Sequence, residues 1–443
     1  MRAMVAPLSL LHSARLTPNE TGRAAVIAMA SSTSEHLETG NQAVVERLFE
    51  ARPFLIGMAL AGEAIPGMNP NLVLHAGPPI AWENMVPAMQ AAILGALVFE
   101  GRAETLEGAR ELVESGVISF APGHDHQAAG AMTGIITASM PVFVVEEKNS
   151  GIRAHVTVNE GLGKVLRFGA NGPDVIERLR WMRDEFYPLM RMALDIAGPM
   201  DLKKAVAEAL RRGDEVHNRN KSATTQFFKE ITPHLLATGA PHEKLAAVLK
   251  FIADNDHFFL SLAIAQAKAT SLYVEQLGVG STVTVMAGNG VEVGIRVGGL
   301  GKQWFTAPAQ VGDIKLFPGF TKEDATPTMG DSYITESIGL GAFALAAAPA
   351  IASFIGGTVS DLVERSNTMR QITLAEHPDF VIPALDFRGV PCPIDVRKVV
   401  ETGVRPLINT GIASNKPGVG QVGAGVQQVP LECFEKAVAA LGN

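Results

Sequence analysis

The densest run of chemistry-bearing side chains is His217-Asn218-Arg219-Asn220-Lys221. Arg219 and Lys221 suit an oxyanion, and the amides of Asn218 and Asn220 offer donors and acceptors together, the mixture that a carbonyl or ureide requires. Val216, Ala223, Phe227 and Ile231 recur at helical spacing around the run, so it is expected on a helix starting near Asp214. Asn220 falls on the apolar stripe, where a polar group must find partners. On one reading it fixes helix register and the cations are a solvated face; on the other the run addresses a carbonyl and an anion. Asn255-Asp256-His257 stands at the junction of the next two helices. There Asp256 is placed to cap, and Asp256 and His257 are candidates to join Asn218 and Asn220 in catalysis.

A second set lies in loops. His75 follows the apolar run 72–74, and Gly123-His124-Asp125-His126 follows 117–120. Loops after strands commonly carry functional groups. His124 and His126 could ligate a metal with help from Asp125, but no further ligand has convincing spacing, and histidines bonding a loop are the alternative. Asn159-Glu160-Gly161-Leu162-Gly163-Lys164 has the composition of a phosphate cradle without the Walker spacing. Its glycine N–H groups, with Lys164 and Arg167, could hold an anion. Gly418 to Gly423 matches GxGxxG, yet only twenty residues follow, too few for the remaining strand and acid of a dinucleotide fold. A glycine loop approaching a ligand or a neighbouring backbone fits better. Gly339-Leu340-Gly341 opens an uncharged stretch just after Glu336, and the N-terminus of a helix there would attract an anion. Arg296, Asn409 and Gln421 complete the set of substrate-binding candidates. No cofactor and no metal are expected, because no nucleotide or metal signature is complete.

These residues need elements to position them. The chain has 443 residues, 47% hydrophobic and 19% charged, enough for more than one core. A net charge of -8 without a basic run argues against nucleic acid. Cys392 and Cys433 form no CxxC motif, and a reducing compartment is expected. The first thirty residues carry Arg2, Arg15 and Arg23 against Glu20 alone. They faintly resemble a targeting peptide, although a mobile segment over 1–40 is the preferred expectation. The uncharged stretch from Gly339 to Thr358, rich in Ala and Gly with Pro349 inside, reads as a buried helix and not a membrane span.

Three regions follow: a mixed α/β domain over 41–172, a helical bundle over 173–278, and an α+β domain with glycine-rich loops over 279–443. The fold class is α+β and multi-domain, with the bundle between two mixed domains. Within the bundle, Pro173 opens the first helix, Asp201 caps the second and Gly213 ends it. The fifth helix, about 257–276, is apolar nearly all round and belongs at a buried centre. Beyond it, 282–287 and 291–297 read as a hairpin turning at Asn289-Gly290. Val291, Val293, Ile295 and Val297 lie on one face of its return strand, and Glu292, Gly294 and Arg296 on the other.

From about residue 41 onward the chain resembles the YlbE-like family of carbamoyltransferase subunits. The phrases that carry the resemblance include LHAGPPIAWENM, NEGLGKVLRFGA, HNRNKSATTQFF, GLGKQWFTAPA, GDSYITESIGLGAFALAAAPA and NTGIASNKPGVGQVGAG. The strand-and-helix segment with which family members usually begin is not recognisable before residue 41. The resemblance implies a cytoplasmic subunit of an assembly that interconverts oxalurate and phosphate with oxamate and carbamoyl phosphate. It also implies an FdrA-type partner subunit, other carbamoyltransferase subunits and possible homo-oligomers. It carries no residue-level assignment. The expectation is therefore a carbamoyltransferase subunit whose small anionic substrate is held by Arg219, Lys221 and backbone donors. Two alternatives stay open: a non-catalytic partner completing a site on another chain, and a metal-dependent amidohydrolase built on His124 and His126.

Overall fold

The structure, a computed structural model, describes residues 35–442. Most of the segment expected to be mobile lies outside them, and 35–50 is helical (α1). Strand β1 (Pro53–Leu60) pairs antiparallel with β4 (Pro141–Glu147) and with the two-residue β6 (Met200–Asp201), and β4 pairs with β5 (Arg153–Thr157). Beside this sheet, β2 (Leu72–His75) and β3 (Ser119–Pro122) run parallel, with His75 opposite Pro122. Their carboxyl ends therefore deliver His75 and the Gly123-His124 turn to one edge, the usual position for binding groups between parallel strands.

Helices follow from Pro173. They include α2 (Leu202–Arg211), capped by the Asp201 carboxylate on the Lys204 N–H, α3 (Lys221–Ala237), α4 (His242–Ala253) and α5 (Leu260–Glu275). Phe186, Phe227 and Phe251 pack around Phe258 with ring centroids 5.3–6.2 Å apart. Helix α5 is buried through nearly its whole length, as its all-round apolar pattern requires. It packs on β1, β4 and β5, and also on β7 (Val283–Asn289). The main core accordingly draws residues from Val44 to Ala413. No helix among the described residues is long and apolar enough to cross a membrane.

Strand β7 and β8 (Glu292–Val297) form the expected antiparallel hairpin. The Asn289 carboxamide oxygen accepts the N–H groups of Val291 and Glu292 at 2.9 and 2.8 Å, and Gly290 has φ +86°. Its Nδ2 donates to Pro78 O at 3.1 Å, so the turn is bonded to the loop after β2. Gly77 (φ +83°) makes this approach possible, since a Cβ there would lie 2.5 Å from the Asn289 backbone nitrogen. Both faces of the hairpin are covered, and Arg296 is 1% exposed.

Three local expectations are corrected. Helix α3 begins at Lys221 rather than near Asp214, and 214–220 is irregular. Val216 has φ +63°, and the Glu215 carboxylate takes the N–H groups of His217 and Arg219 at 3.1 and 2.6 Å, in competition with helix. Asp256 does not cap α5; the Thr224 hydroxyl meets the Phe259 N–H instead. The stretch 339–358 is not one helix. It runs as 3₁₀ turns at Gly341–Ala347 and Pro349–Ile351 and a short helix at Ala352–Ile355. Ala348, held before Pro349 at ψ 62°, breaks it.

Three short strands follow the hairpin, β9 (Phe305–Pro308), β10 (Asp313–Leu316) and β11 (Met329–Gly330). Toward the C-terminus, β12 (Thr373–Ile382) pairs with β13 (Arg388–Ile394), and β14 (Leu407–Ala413) with β15 (Gln421–Gln428). The GxGxxG match occupies the turn between antiparallel β14 and β15 and the first residues of β15, so it opens a strand and not a helix. That is not the strand-to-helix context of a dinucleotide loop.

His377 on β12 gives a stability test. It is 2% exposed, stacks on Phe380 at 4.0 Å, and its Nδ1 accepts the N–H groups of Asp379 and Phe380 at 3.1 and 3.2 Å. Burial, and then the charge of Lys203, push the imidazole down from 6.5 to about 3. A depressed value means that its contribution is complete above 6.5 and is lost as pH falls toward 3. His377→Asn keeps an acceptor that does not titrate. The stability of wild type relative to this variant should fall by about 1.4 kcal/mol per pH unit below 6.5. Urea unfolding at pH 7, 6 and 5 measures this, and a pH-independent difference would refute it.

Candidate functional site

The irregular loop 213–220 sets the geometry. With Glu215 Oε1 and Oε2 closing it, and the Gly341 N–H donating to Glu215 O at 2.7 Å, the His217 ring is pressed against Glu336. Nδ1 of His217 lies 2.8 and 3.0 Å from the two Glu336 carboxylate oxygens. Glu336 sits in the turn Ile334–Ser337 and is fully buried. It also accepts the N–H groups of Ala342 and Asn409, each at 3.1 Å, and the Thr335 hydroxyl at 2.9 Å. A Cβ at Gly341 would stand 2.1 Å from Glu336 Oε1. The donors after Gly339 thus serve the protein's own carboxylate, and Glu336 orients His217 instead of meeting a ligand. With Nδ1–H committed to the carboxylate, Nε2 remains available to accept or return a proton.

Asn218, Asn220 and Asn409 lie against this pair and Asn159 and Gln421 on the two glycine loops, and among the described residues four of these five amides leave one end unmet. Asn218 donates to Asn409 Oδ1 at 2.7 Å, leaving Asn409 Nδ2 without a partner. Asn220 donates to His217 O at 2.6 Å and keeps Oδ1 unmet. Asn159 accepts the Gly161 N–H at 2.9 Å, leaving Nδ2 unmet, while Gln421 donates to Gly423 O at 3.1 Å, leaving Oε1. Two donors and two acceptors are therefore free and buried. Asn255 connects the parts by donating to Asn159 O at 2.8 Å and accepting the His257 N–H at 3.1 Å. Burial, and then the charges of Arg167 and His217, push His257 down to about 3, so it serves as a neutral imidazole.

The cations are not the expected ones. Arg219 turns back on its own loop, donating to Gly213 O at 3.0 Å and lying 3.5 Å from Asp214. Lys221 pairs with Asp256 at 3.2 Å, both more than half exposed, and Lys164 is exposed. Arg167 is the cation beside His257. It donates to Gly161 O at 3.2 and 2.6 Å and stacks on Phe168. Burial lowers it to about 10 against the opposing charge of Glu160, which leaves it charged at neutral pH. The Glu160 carboxylate itself accepts the Leu166 N–H at 2.7 Å and the Arg167 N–H at 3.3 Å. The two glycine loops meet each other: Gln421 N–H donates to Gly163 O at 3.2 Å and Gly418 N–H to Gly169 O at 3.1 Å.

Of the residues to which the sequence pointed, Asn218, Asn220 and Asn409 meet at the His217–Glu336 pair, while Asn159 and His257 are joined through Asn255 and Gln421 meets the Gly163 loop. It did not single out His217, because a helical reading of 214–220 put that residue beside the stripe. Arg167 was set behind Lys164, although its apolar neighbours Val165, Leu166 and Phe168 were a signal of burial.

His75, His124 and Arg296 belong to a separate buried cluster around Asp331. His126 turns from His124 and meets Pro66 O through Nδ1 at 2.7 Å. The pair does not converge, and no group of three or more His, Cys, Asp or Glu among the described residues could hold a metal ion. The amidohydrolase alternative is therefore not favoured.

Comparison with known proteins shows the family to which the chain belongs. The family described as oxamate carbamoyltransferase subunit AllG matches residues 118–332, a span that includes Arg167, His217 and His257. An uncharacterized Escherichia coli (strain K12) protein, YahG, is 44% identical over 408 residues, covering 92% of this chain and 86% of that protein. The oxamate carbamoyltransferase subunit AllG of the same strain is 42% identical over 406 residues, 91% of this chain and 97% of its own. A crystal structure of a conserved protein of unknown function from Enterococcus faecalis V583 aligns with a TM-score of 0.91 at 42% identity, covering 93% of this chain and 98% of that one. With such identity across nearly the whole length of curated relatives, the chain belongs to the AllG family of carbamoyltransferase subunits.

Proposed function

We propose that this chain is the subunit of a cytoplasmic carbamoyltransferase that binds the carbamoyl group, working on oxalurate and oxamate or a similar small ureide with phosphate and carbamoyl phosphate. The observation that carries the reading is the buried His217–Glu336 pair, bonded to Asn220 and Asn409, each with one amide end unmet among the described residues. A ureide presents N–H groups and carbonyl oxygens in alternation. Asn159 and Asn409 Nδ2 can meet its carbonyls, and Asn220 Oδ1 and Gln421 Oε1 its N–H groups. As the amide nitrogen of oxamate attacks the carbamoyl carbon, the bond from that carbon to the phosphate oxygen breaks. His217 Nε2 takes the proton that the nitrogen loses, and Glu336 stabilises the imidazolium. Arg167 faces the charge gathering on phosphate. In the reverse direction His217 returns the proton to the departing nitrogen. The FdrA-type partner and further subunits complete the assembly. The rival reading keeps this chain as a scaffold for a site on another chain.

Reconstitution with the partner subunits distinguishes them. His217→Asn should lower kcat by about 10²–10⁴-fold with little change in KM, the range for loss of a general base. An assembly indifferent to this substitution would support the scaffold reading. Arg167→Met should raise KM for carbamoyl phosphate by about tenfold or more, the effect of losing a charge-assisted hydrogen bond. Arg219→Met, whose guanidinium faces its own loop, should leave that KM within about twofold.

Turnover by the reconstituted assembly should also survive exhaustive chelation, since proton transfer and anion binding are assigned to side chains. Loss of activity on chelation, with recovery on adding back a divalent ion, would contradict that assignment.

A further inference from the structure

A second concentration of buried polar groups lies where the carboxyl ends of β2 and β3 meet the β7–β8 hairpin. Asp331 holds it together. Its carboxylate accepts the Gly77 N–H at 2.8 Å and the Gly130 N–H at 3.0 Å, and lies 3.3 Å from His124 Nε2. Lys268, from the centre of α5, is 0% exposed, and its ammonium nitrogen reaches His124 O at 3.4 Å. Among the described residues no carboxylate is paired with it. Arg296 pairs with Asp125 through Nη2 and lies over the Trp304 ring at 4.3 Å, while its Nε and Trp304 Nε1 have no partner. The histidines offer the opposite polarity. His75 Nδ1 donates to Ala76 O at 2.9 Å, which leaves Nε2 as a bare acceptor without a partner. Asp331 beside His124 Nε2 favours the proton there, and Nδ1 is then the second bare acceptor. Burial lowers both histidines below their ordinary range, which keeps these nitrogens unprotonated.

We infer that His75, His124, Lys268, Arg296 and Trp304 form a second binding site, for a small anion that joins a carboxylate to an N–H group. The cationic and indole donors match the carboxylate, and the two imidazole acceptors match the amide N–H groups. A free dianion such as phosphate would satisfy the cations and face two lone pairs. A simple amide would satisfy the imidazoles and leave Lys268 without a counter-charge. Entry is from the side of Asp125, whose side chain is 36% exposed. The inference rests on the reading above for its choice of oxamate, and it adds a second oxamate site, built from other residues, to the reacting one beside the His217–Glu336 pair.

The test uses the whole chain without partners. Calorimetric titration should show saturable oxamate binding, with acetate and acetamide each at least about tenfold weaker, because each supplies one half of the contacts. Lys268→Met and Arg296→Met should each weaken oxamate by about tenfold or more, and Lys221→Met, an exposed control, should not. Should either variant fail to fold, the wild-type imidazole ¹⁵N resonances suffice: those of His75 and His124 should move with oxamate, and those of His377 should not. Absence of saturable binding, or binding that leaves His75 and His124 unmoved, would overturn the inference. Affinity lost in His217→Asn but retained in Lys268→Met would also overturn it, by placing oxamate at the other site and leaving the proposed function standing.

Discussion

A carboxylate removed from water must be met by donors on every side, and Glu336 is met by four: the His217 ring, the Thr335 hydroxyl and the N–H groups of Ala342 and Asn409. These come from the loop before α3, from its own turn, from the 3₁₀ segment after it and from β14. The requirement is severe, because an unpaired buried charge costs several kcal/mol. It therefore constrains the backbone around Glu336 together with two segments far from it in sequence. The strained Val216 and the positive φ of Gly341 are consistent with that constraint, since both allow the backbone to close on the carboxylate. Asp331, five positions earlier, does the same for a second set: it receives Gly77 and Gly130 from the β2–β3 region while the hairpin turn bonds Pro78. Two acidic residues on one short stretch thus fix both polar clusters and help hold the ends of the chain together.

Much of the architecture was legible because it follows from local rules. The Asn-Gly pair fixed the hairpin, Asp201 marked a helix start, and the absence of a polar face on 260–275 identified the helix that the sheets enclose. The α+β class followed from the same patterns. What could not be read was governed by contacts distant in sequence. The 214–220 segment has helical spacing and would satisfy its N–H groups as a helix. It is pulled out because Glu215 bonds His217 and Arg219 while the same backbone must reach Gly341. Likewise, the apolar neighbours Val165, Leu166 and Phe168 set Arg167 apart from Arg219 and Lys221 in the sequence, but the carbonyl that holds its guanidinium, Gly161 O, is presented only by the folded loop.

The candidate site was legible in kind more than in role. Amides were expected to bind a carbonyl, and Asn218, Asn220 and Asn409 do gather at one buried histidine and its carboxylate. Glu336 and Glu160 were expected to face substrate. Both carboxylates are instead consumed by backbone and side-chain donors, which is how a protein usually accommodates an acidic group in its interior. Lys221 and Asp256, distant in sequence, form an exposed pair of the kind that contributes at most about 1 kcal/mol, where an anion site had been expected.

The remaining amides behave differently, and their behaviour bears on why the pocket has this composition. Asn159, Asn220, Asn409 and Gln421 each spend one end on the protein and leave the other unmet. A buried donor or acceptor without a partner costs about 1–3 kcal/mol, so four of them in one region are a substantial burden if nothing occupies it. An Asn fixed at one end, however, is held in a single orientation and presents its other end at a defined point. A ligand with alternating N–H and C=O groups removes the cost at all four points at once, whereas one lacking a single group leaves an amide stranded. On the proposed reading, discrimination among small ureides and amides would come from the penalty for incomplete pairing more than from the strength of any one bond. Ordered water can meet the same amides in the empty state, so the selectivity requires that a ligand displace it completely.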